Sequence, residues 1–390
     1  MDEQGARLQR RVKRGPFIMN KAHGVTLEFD TDLNDLAKGK ALRDGLSVAL
    51  QIGATLWVAN DETVSLERLT PLPDDGAGAC RYGQHKQFQL GDYLALPVPP
   101  GDDPEELDEA DIEGLAFDAG YLWLVGSHSL KRKKPKLKEG YGKASKQLAK
   151  IGRDGNRYLL ARIPILEEAG GCRLEERITR HGKDLYAARL GGNAFGDELT
   201  EALQDDEHLG PFLAIPGKDN GFDIEGLAVV DGRIFLGLRG PVLRGWAVVL
   251  ELAVDDDPGS STLSLKAIGP NKRRYRKHFL QLGGLGIRDL CVQGADLLIL
   301  AGPTLDLDGP VNVFRWPGGC APDDEVMVPS SVLQPVLDVP FGEGNDHAEG
   351  ITLYVPETGQ KPSLLVVYDA VAECRKVELS AVLADIFQLP

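Results

Sequence analysis

The chain is short of cysteine, aromatic residues, positive charge and long apolar runs, and most of these shortages exclude something. Its 390 residues include five cysteines, Cys80, Cys172, Cys291, Cys320 and Cys374. They are odd in number, scattered and without a CxxC pair. That argues against a disulfide framework or a zinc site, and for free thiols in a reducing compartment. No apolar run reaches the roughly 20 residues needed to span a bilayer, so no membrane partner is expected. The basic start, Arg7 to Arg14, is not followed by the apolar stretch of a signal peptide, and a cytoplasmic location is expected. With 44 Lys and Arg against 59 Asp and Glu, the net charge is −15, which argues against duplex nucleic acid as the main partner. HExxH and GxSxG are absent. The glycine-rich Gly191-Gly192-Asn193-Ala194-Phe195-Gly196 lacks the Lys-Ser/Thr ending of a P-loop.

What the chain does have is a repeat. Asp111-Ile112-Glu113-Gly114-Leu115-Ala116 returns as Asp223-Ile224-Glu225-Gly226-Leu227-Ala228. Looser copies are Ile287-Arg288-Asp289-Leu290, His347-Ala348-Glu349-Gly350 and Arg43-Asp44-Gly45-Leu46. Each copy sets an acid before an apolar run, followed by a short turn and a second apolar run, which is hairpin chemistry. A unit recurring at such intervals predicts a repeat architecture.

The pattern predicts an all-β fold, a β-propeller of four-stranded antiparallel blades. Five blades can be counted, and the 112-residue gap from Glu113 to Glu225 leaves room for a sixth. A pair of β-sandwiches is the rival architecture. Strands are expected at residues 46–51, 55–59, 64–69 and 93–96 in the first blade. The outer strands of the second, third and fourth are placed at 172–178, 262–268 and 332–339. The fifth blade, ending near residues 375–379, is one strand short. The alternating run at residues 25–29 would supply the missing strand and close the ring, removing two open edges. The organisation expected is a flexible segment at 1–22, then a single propeller at 23–390. Two insertions fall in the second blade: a basic one at 130–155, and one at 181–209 that is helical around 198–203.

Strand direction places the repeated acids, the ends of the second strands and the loops around residues 131–138, 271–277 and 342–346 on one face. Functional residues gather on loops held by a rigid scaffold, so the site is expected at this channel mouth. Glu113, Glu225, Asp289 and Glu349, with Asp223, are the candidate metal ligands. Crowded carboxylates need neutralising, and Ca²⁺ or Mg²⁺ would do so through several oxygens. Each acid could equally pair with an arginine or amide of the next blade and only tie blades together. Arg239, Arg288, Ser127, Lys131 and Lys133 are candidates for holding an anionic small molecule, the expected ligand. His128 and His347, with Glu113 and Glu225, are candidates for moving protons. A structural histidine and a solvated basic loop are the alternatives for those groups.

The strings DIEGLAF…LVGSHS, GFDIEGLAV…LGLRGP, GLGIRDL…LILAGP and HAEGITL resemble a bacterial family catalogued as a domain of unknown function (number 3616). That family is similar to esterase-like phytase propellers, which share the acid-Glu-Gly strand opening. The resemblance covers roughly residues 40–370. It implies a propeller fold and points to a cation-assisted phosphoester or ester hydrolase. The alternative is a non-catalytic propeller that binds a ligand or protein. Two copies depart from the pattern, with Asp44 in place of Glu in the first and Arg288-Asp289 in the fourth.

Overall fold

A computed structural model describes residues 21–36, 39–73, 80–99, 109–168, 170–255, 259–305, 307–355 and 361–390. Five groups of consecutive, mainly antiparallel strands account for most of them, the first and fifth joined within one nine-stranded sheet. The first contains β2 (Leu46–Ile52), β3 (Thr55–Asn60), β4 (Ser65–Pro71) and β5 (Cys80–Gln89). The second contains β6 (Ile112–Asp118), β7 (Tyr121–Gly126) and β8 (Leu160–Glu168). Its outer position is shared by β9 (Gly171–Leu174) and β10 (Ala188–Leu190), which pair with opposite ends of β8. The third contains β11 (Asp223–Val230), β12 (Arg233–Gly240), β13 (Ala247–Leu252) and β14 (Arg276–Leu280). The fourth contains β15 (Gly286–Gln293), β16 (Asp296–Gly302), β17 (Val311–Trp316) and β18 (Gln334–Val339). The fifth contains β19 (His347–Tyr354), β20 (Ser363–Asp369) and β21 (Ala381–Gln388).

The fourth strand of the last sheet comes from the other end of the sequence. β1 (Lys21–Glu28) pairs antiparallel with β21, from Lys21↔Phe387 to Glu28↔Ala381. It also meets β5 in parallel, with Val25 opposite Cys80, and so joins the fifth sheet to the first. The first strands β2, β6, β11, β15 and β19 pack side by side in a closed cycle. The molecule is a β-propeller. Its apolar residues form separate clusters between neighbouring sheets rather than one central core, as expected when each sheet buries both faces against neighbours.

Several outer strands lie elsewhere than the sequence pattern predicts. The first sheet ends on Cys80–Gln89, not residues 93–96, because this half-exposed strand carries polar side chains between its buried ones. The third has the basic strand Arg276–Leu280 in its fourth position, with Met327–Val328 paired to it in parallel outside, while Thr262–Leu265 pairs in parallel with β10 of the second sheet. In the fifth, residues around 375–379 form a turn and a two-residue bridge, and Ala381–Gln388 takes the strand position. The first strands show why Gly follows Glu in the repeat. A Cβ on Gly114 would lie 2.5 Å from Leu227 Cβ, and one on Gly350 would lie 2.7 Å from Val48 Cα. Only a glycine lets the next first strand approach so closely.

Candidate functional site

All five pairs of first and second strands share an irregularity, and it defines the site. The register skips one residue near the start of each first strand: Ser47, Glu113, Glu225, Arg288 and Glu349. A β-bulge leaves such a residue unpaired and re-aims its side chain. The true ring is therefore Ser47, Glu113, Glu225, Arg288 and Glu349. Asp44 and Asp289, which match the acids by letter, occupy other positions. Asp44 ends a 3₁₀ turn and pairs with Lys376. Asp289 stands where other copies have Gly, and accepts from the amides of Leu290 (2.7 Å) and Ile351 (2.7 Å) of the next first strand.

Arg288 is thus the one cation among the ring positions, and it bridges its neighbours. Its Nη1 donates to Glu349 at 2.7 Å and Glu225 at 3.1 Å, and its Nη2 donates to the carbonyl of Pro303 at 2.9 Å. Arg239, from the end of β12, pairs with Asp223 and with Glu225 at 2.6 Å. Arg157 pairs with Glu109 and with Asp111 at 2.7 Å. Ser47 donates to the carbonyl of Ile112 at 2.6 Å. Glu113 differs from its fellows. It is buried, yet among the described residues it makes no hydrogen bond or ion pair.

The acids outnumber the cations at this mouth, and protons make up part of the difference. Burial, then the charges of Asp111, Glu225, Glu349 and Asp61, push Glu113 well above the usual carboxylate range. Burial, then Asp369, Asp111 and Glu349, do the same to Asp61. Burial pushes Glu225 up to about 8 despite Arg239 and Arg288. Burial and then Glu349 push Asp369 up to about 6, opposed by the Ala370 amide, Lys218 and His347. Burial also raises Asp289, against its two amide bonds.

Beside the ring lies a cavity of about 50 Å³, enough for one or more waters. Lys218, Arg239, Arg288, His347, Glu349 and Asp369 line it, together with Asp308. His347 Nε2 lies 3.3 Å from Asp308. Among the described residues Lys218 has no ion-pair partner, and it is exposed.

The structure brings together some of the residues singled out from sequence and separates others. Arg239, Arg288, His347 and Glu349 share the cavity; Glu113, Glu225 and Asp223 adjoin it through the ring. His128 does not reach it. It is buried, with Nε2 at 2.8 Å from Asp197 and Nδ1 at 2.8 Å from the Gly126 carbonyl. Asp197 is in turn the N-cap of the short helix Glu198–Leu203, so His128 ties the insertion to the second sheet. Ser127 is buried against Ser129 and Arg157. Lys131 pairs with Glu109 and Asp154, and Lys133 is exposed on the hairpin beyond. The basic residues near 271–277 also lie away from the cavity. Arg273 pairs with Glu325, and Lys277 is buried on Asp206 and His208. Lys218 and Arg157 join the site without a sequence signal, and Asp369 only as the end of a second strand. They lie at a strand end or in loops and belong to no repeated motif.

Most of the candidate ligands for Ca²⁺ or Mg²⁺ are already engaged, Glu113 excepted. Asp223, Glu225 and Glu349 are occupied by guanidinium groups and Asp289 by backbone amides, whereas such a cation needs several free oxygens converging on it. Among the described residues no group of three or more His, Cys, Asp or Glu side chains is arranged to hold a metal.

The ring of first strands and its mouth define a β-propeller with an acid- and arginine-lined entrance. The chain belongs to the family described as Protein of unknown function (DUF3616), which matches residues 45–385. No curated protein matches it. Among solved structures it is similar to the glutaminyl cyclase of Myxococcus xanthus, at 11% identity over 94% of this chain and 97% of that one, TM-score 0.38. A putative oxidoreductase (glucose dehydrogenase) of Thermus thermophilus gives 12% identity over 91% and 98%, TM-score 0.34. PhoX of Pseudomonas fluorescens, solved with vanadate, gives 9% identity over 94% and 75%, TM-score 0.32.

Proposed function

We propose that the mouth cavity hydrolyses an ester or phosphoester of a small anionic molecule by acid–base chemistry. The observation that carries this is the meeting of Lys218, Arg288 and His347 with Glu349 and Asp369 in one cavity. Lys218 and His347 hold the anion, and Arg288 adds positive potential from the wall. Asp369, pushed up to about 6, gives its proton to the leaving oxygen. Glu349, positioned by Arg288, takes a proton from the attacking water. A group with such a value is well placed to work near neutrality. Ca²⁺ or Mg²⁺ takes no part in this reaction, since Glu349 is already paired with Arg288.

The test is a panel of phosphate and carboxylate esters, assayed with and without a chelator. Turnover is expected to survive the chelator. Asp369→Asn is expected to lower kcat by about 10²–10⁴, and Lys218→Ala to raise KM. No turnover on any anionic ester would overturn the hydrolase. Commitment of both Arg239 and Arg288 to the ring favours a second reading, a non-catalytic site that binds an anion at Lys218 and His347. Equilibrium binding of an ester with no product formed supports that reading instead.

A further inference from the structure

The insertion in the second sheet has a charge opposite to the rest of the chain. Residues 131–153 contain ten Lys or Arg and one acid, Glu139, a net of +9; with −15 overall, the remainder carries −15 − 9 = −24. The segment is ordered by its own hydrogen bonds. Lys131–Arg132 pairs with Ile151–Gly152 as a hairpin. The helix Tyr141–Leu148 packs back through Ala144, and Gln147 Oε1 accepts from the Lys136 amide at 2.7 Å. Lys131 and Arg132 find acids in Glu109, Asp154 and Asp219. Lys133, Lys134, Lys136, Lys138, Lys143, Lys146 and Lys150 are exposed, and among the described residues none has an ion-pair partner.

A merely solvated basic loop has no use for large apolar side chains in water, and this one displays several. Leu137 is 81% exposed and Tyr141 90%, with Leu148 and Ile151 about half exposed. Tyr141 and Leu148, seven residues apart, lie on one side of the helix. Arg153 draws in Phe195 from the second insertion: its guanidinium stands 6.0 Å from the ring centroid and donates to the Phe195 carbonyl at 3.1 Å.

We propose that this insertion is a docking surface for an anionic lipid bilayer. Lysine ammonium groups attract a negative headgroup layer, and exposed apolar side chains enter the acyl boundary beneath it. Lysine predominates over arginine, which suits diffuse attraction rather than bidentate phosphate recognition. The exposed aliphatic side chains Leu137, Leu148 and Ile151 outnumber the exposed rings Tyr141 and Phe195 and favour lipid over nucleic acid, for which rings that stack on bases would be the useful addition. Among the described residues no helix is long and apolar enough to cross a membrane. Interfacial docking needs none, so the lack of a spanning run in the sequence does not oppose it. The hairpin adjoins the mouth: Leu130 bridges to Pro216 and accepts from the Gly217 amide, next to Lys218 of the cavity. Docking therefore brings that side of the mouth near the headgroups, whatever reaction the cavity performs.

The test is flotation of the full chain with vesicles of phosphatidylserine and phosphatidylcholine, against phosphatidylcholine alone. Binding is expected to the first only, and to be released by high salt as screening shortens. The quadruple variant K133Q/K134Q/K136Q/K138Q is expected to bind about six-hundredfold more weakly, at roughly fivefold per lysine. The double variant L137S/Y141S is expected to weaken binding and keep its salt dependence. All six positions are exposed, so both variants should melt like the parent. No binding to phosphatidylserine vesicles overturns the proposal. So does binding unchanged in the lysine variant, or capture of single-stranded or duplex nucleic acid at a salt concentration where vesicles are not bound.

Discussion

His128 and Asp197 form a buried ion pair far from solvent, and their shifts oppose one another. Burial alone would lower His128, but the Asp197 charge and its hydrogen bond outweigh it and raise the imidazole above 6.5. Burial would raise Asp197, but His128 and the Thr200 bonds hold it below 3.8. The histidine contribution is full below 6.5 and is lost as pH rises through the higher folded value. The aspartate contribution is full above 3.8 and is lost as pH falls through the lower one. His128→Ala is expected to cost about 3–5 kcal/mol in urea unfolding at pH 5, because it strands a buried carboxylate. That difference is expected to shrink once the pH passes the raised histidine value. Glu113 at the ring follows the same sign as His128 and the opposite one to Asp197. Its folded value is raised, so its contribution is full below 4.5 and is lost as pH rises through the folded value. Glu113→Gln is expected to match the parent near pH 4 and to be more stable near pH 8, so that unfolding free energy falls less steeply across that range. Neither role could be read from sequence, because a histidine beside serines looks the same whether it faces a cavity or a helix cap.

At the scale of strands, the Asp-Ile-Glu-Gly repeat made the propeller legible, since the buried first and second strands carry apolar runs. The outer strands carry little such signal. Cys80–Gln89 is rich in polar side chains because much of it faces water, whereas in Arg276–Leu280 the polar Lys277 and His278 are buried on Asp206 and Glu251, so the pairing of both is fixed by position rather than by apolar pattern. The ring itself was only half legible. Matching acid with acid aligned Asp44 and Asp289 with the glutamates, whereas the bulge aligns Ser47 and Arg288. The glycine after each glutamate was a better guide to packing than to chemistry. Gly114→Ala is expected to cost about 2–3 kcal/mol by urea unfolding, since its Cβ would overlap Leu227 and first strands cannot separate without opening the ring.

The molecule as a whole depends on one strand drawn from the opposite end of the sequence. Deleting residues 21–28 would bare β21 on one side and β5 on the other, two strand edges open to pairing with other chains. Such a variant is expected to lose its single cooperative melting transition and to aggregate, by calorimetry and light scattering. The same strand sets a schedule for the ribosome. The residues of β1 are made before any sheet exists, and their partner β21 is the last strand to emerge, more than 350 positions later. Four sheets can assemble while the chain is being made, but the circle cannot shut until β21 has emerged. Until that moment β1 lacks its antiparallel partner and is exposed to proteases and to the corresponding strand of neighbouring nascent chains on the same message.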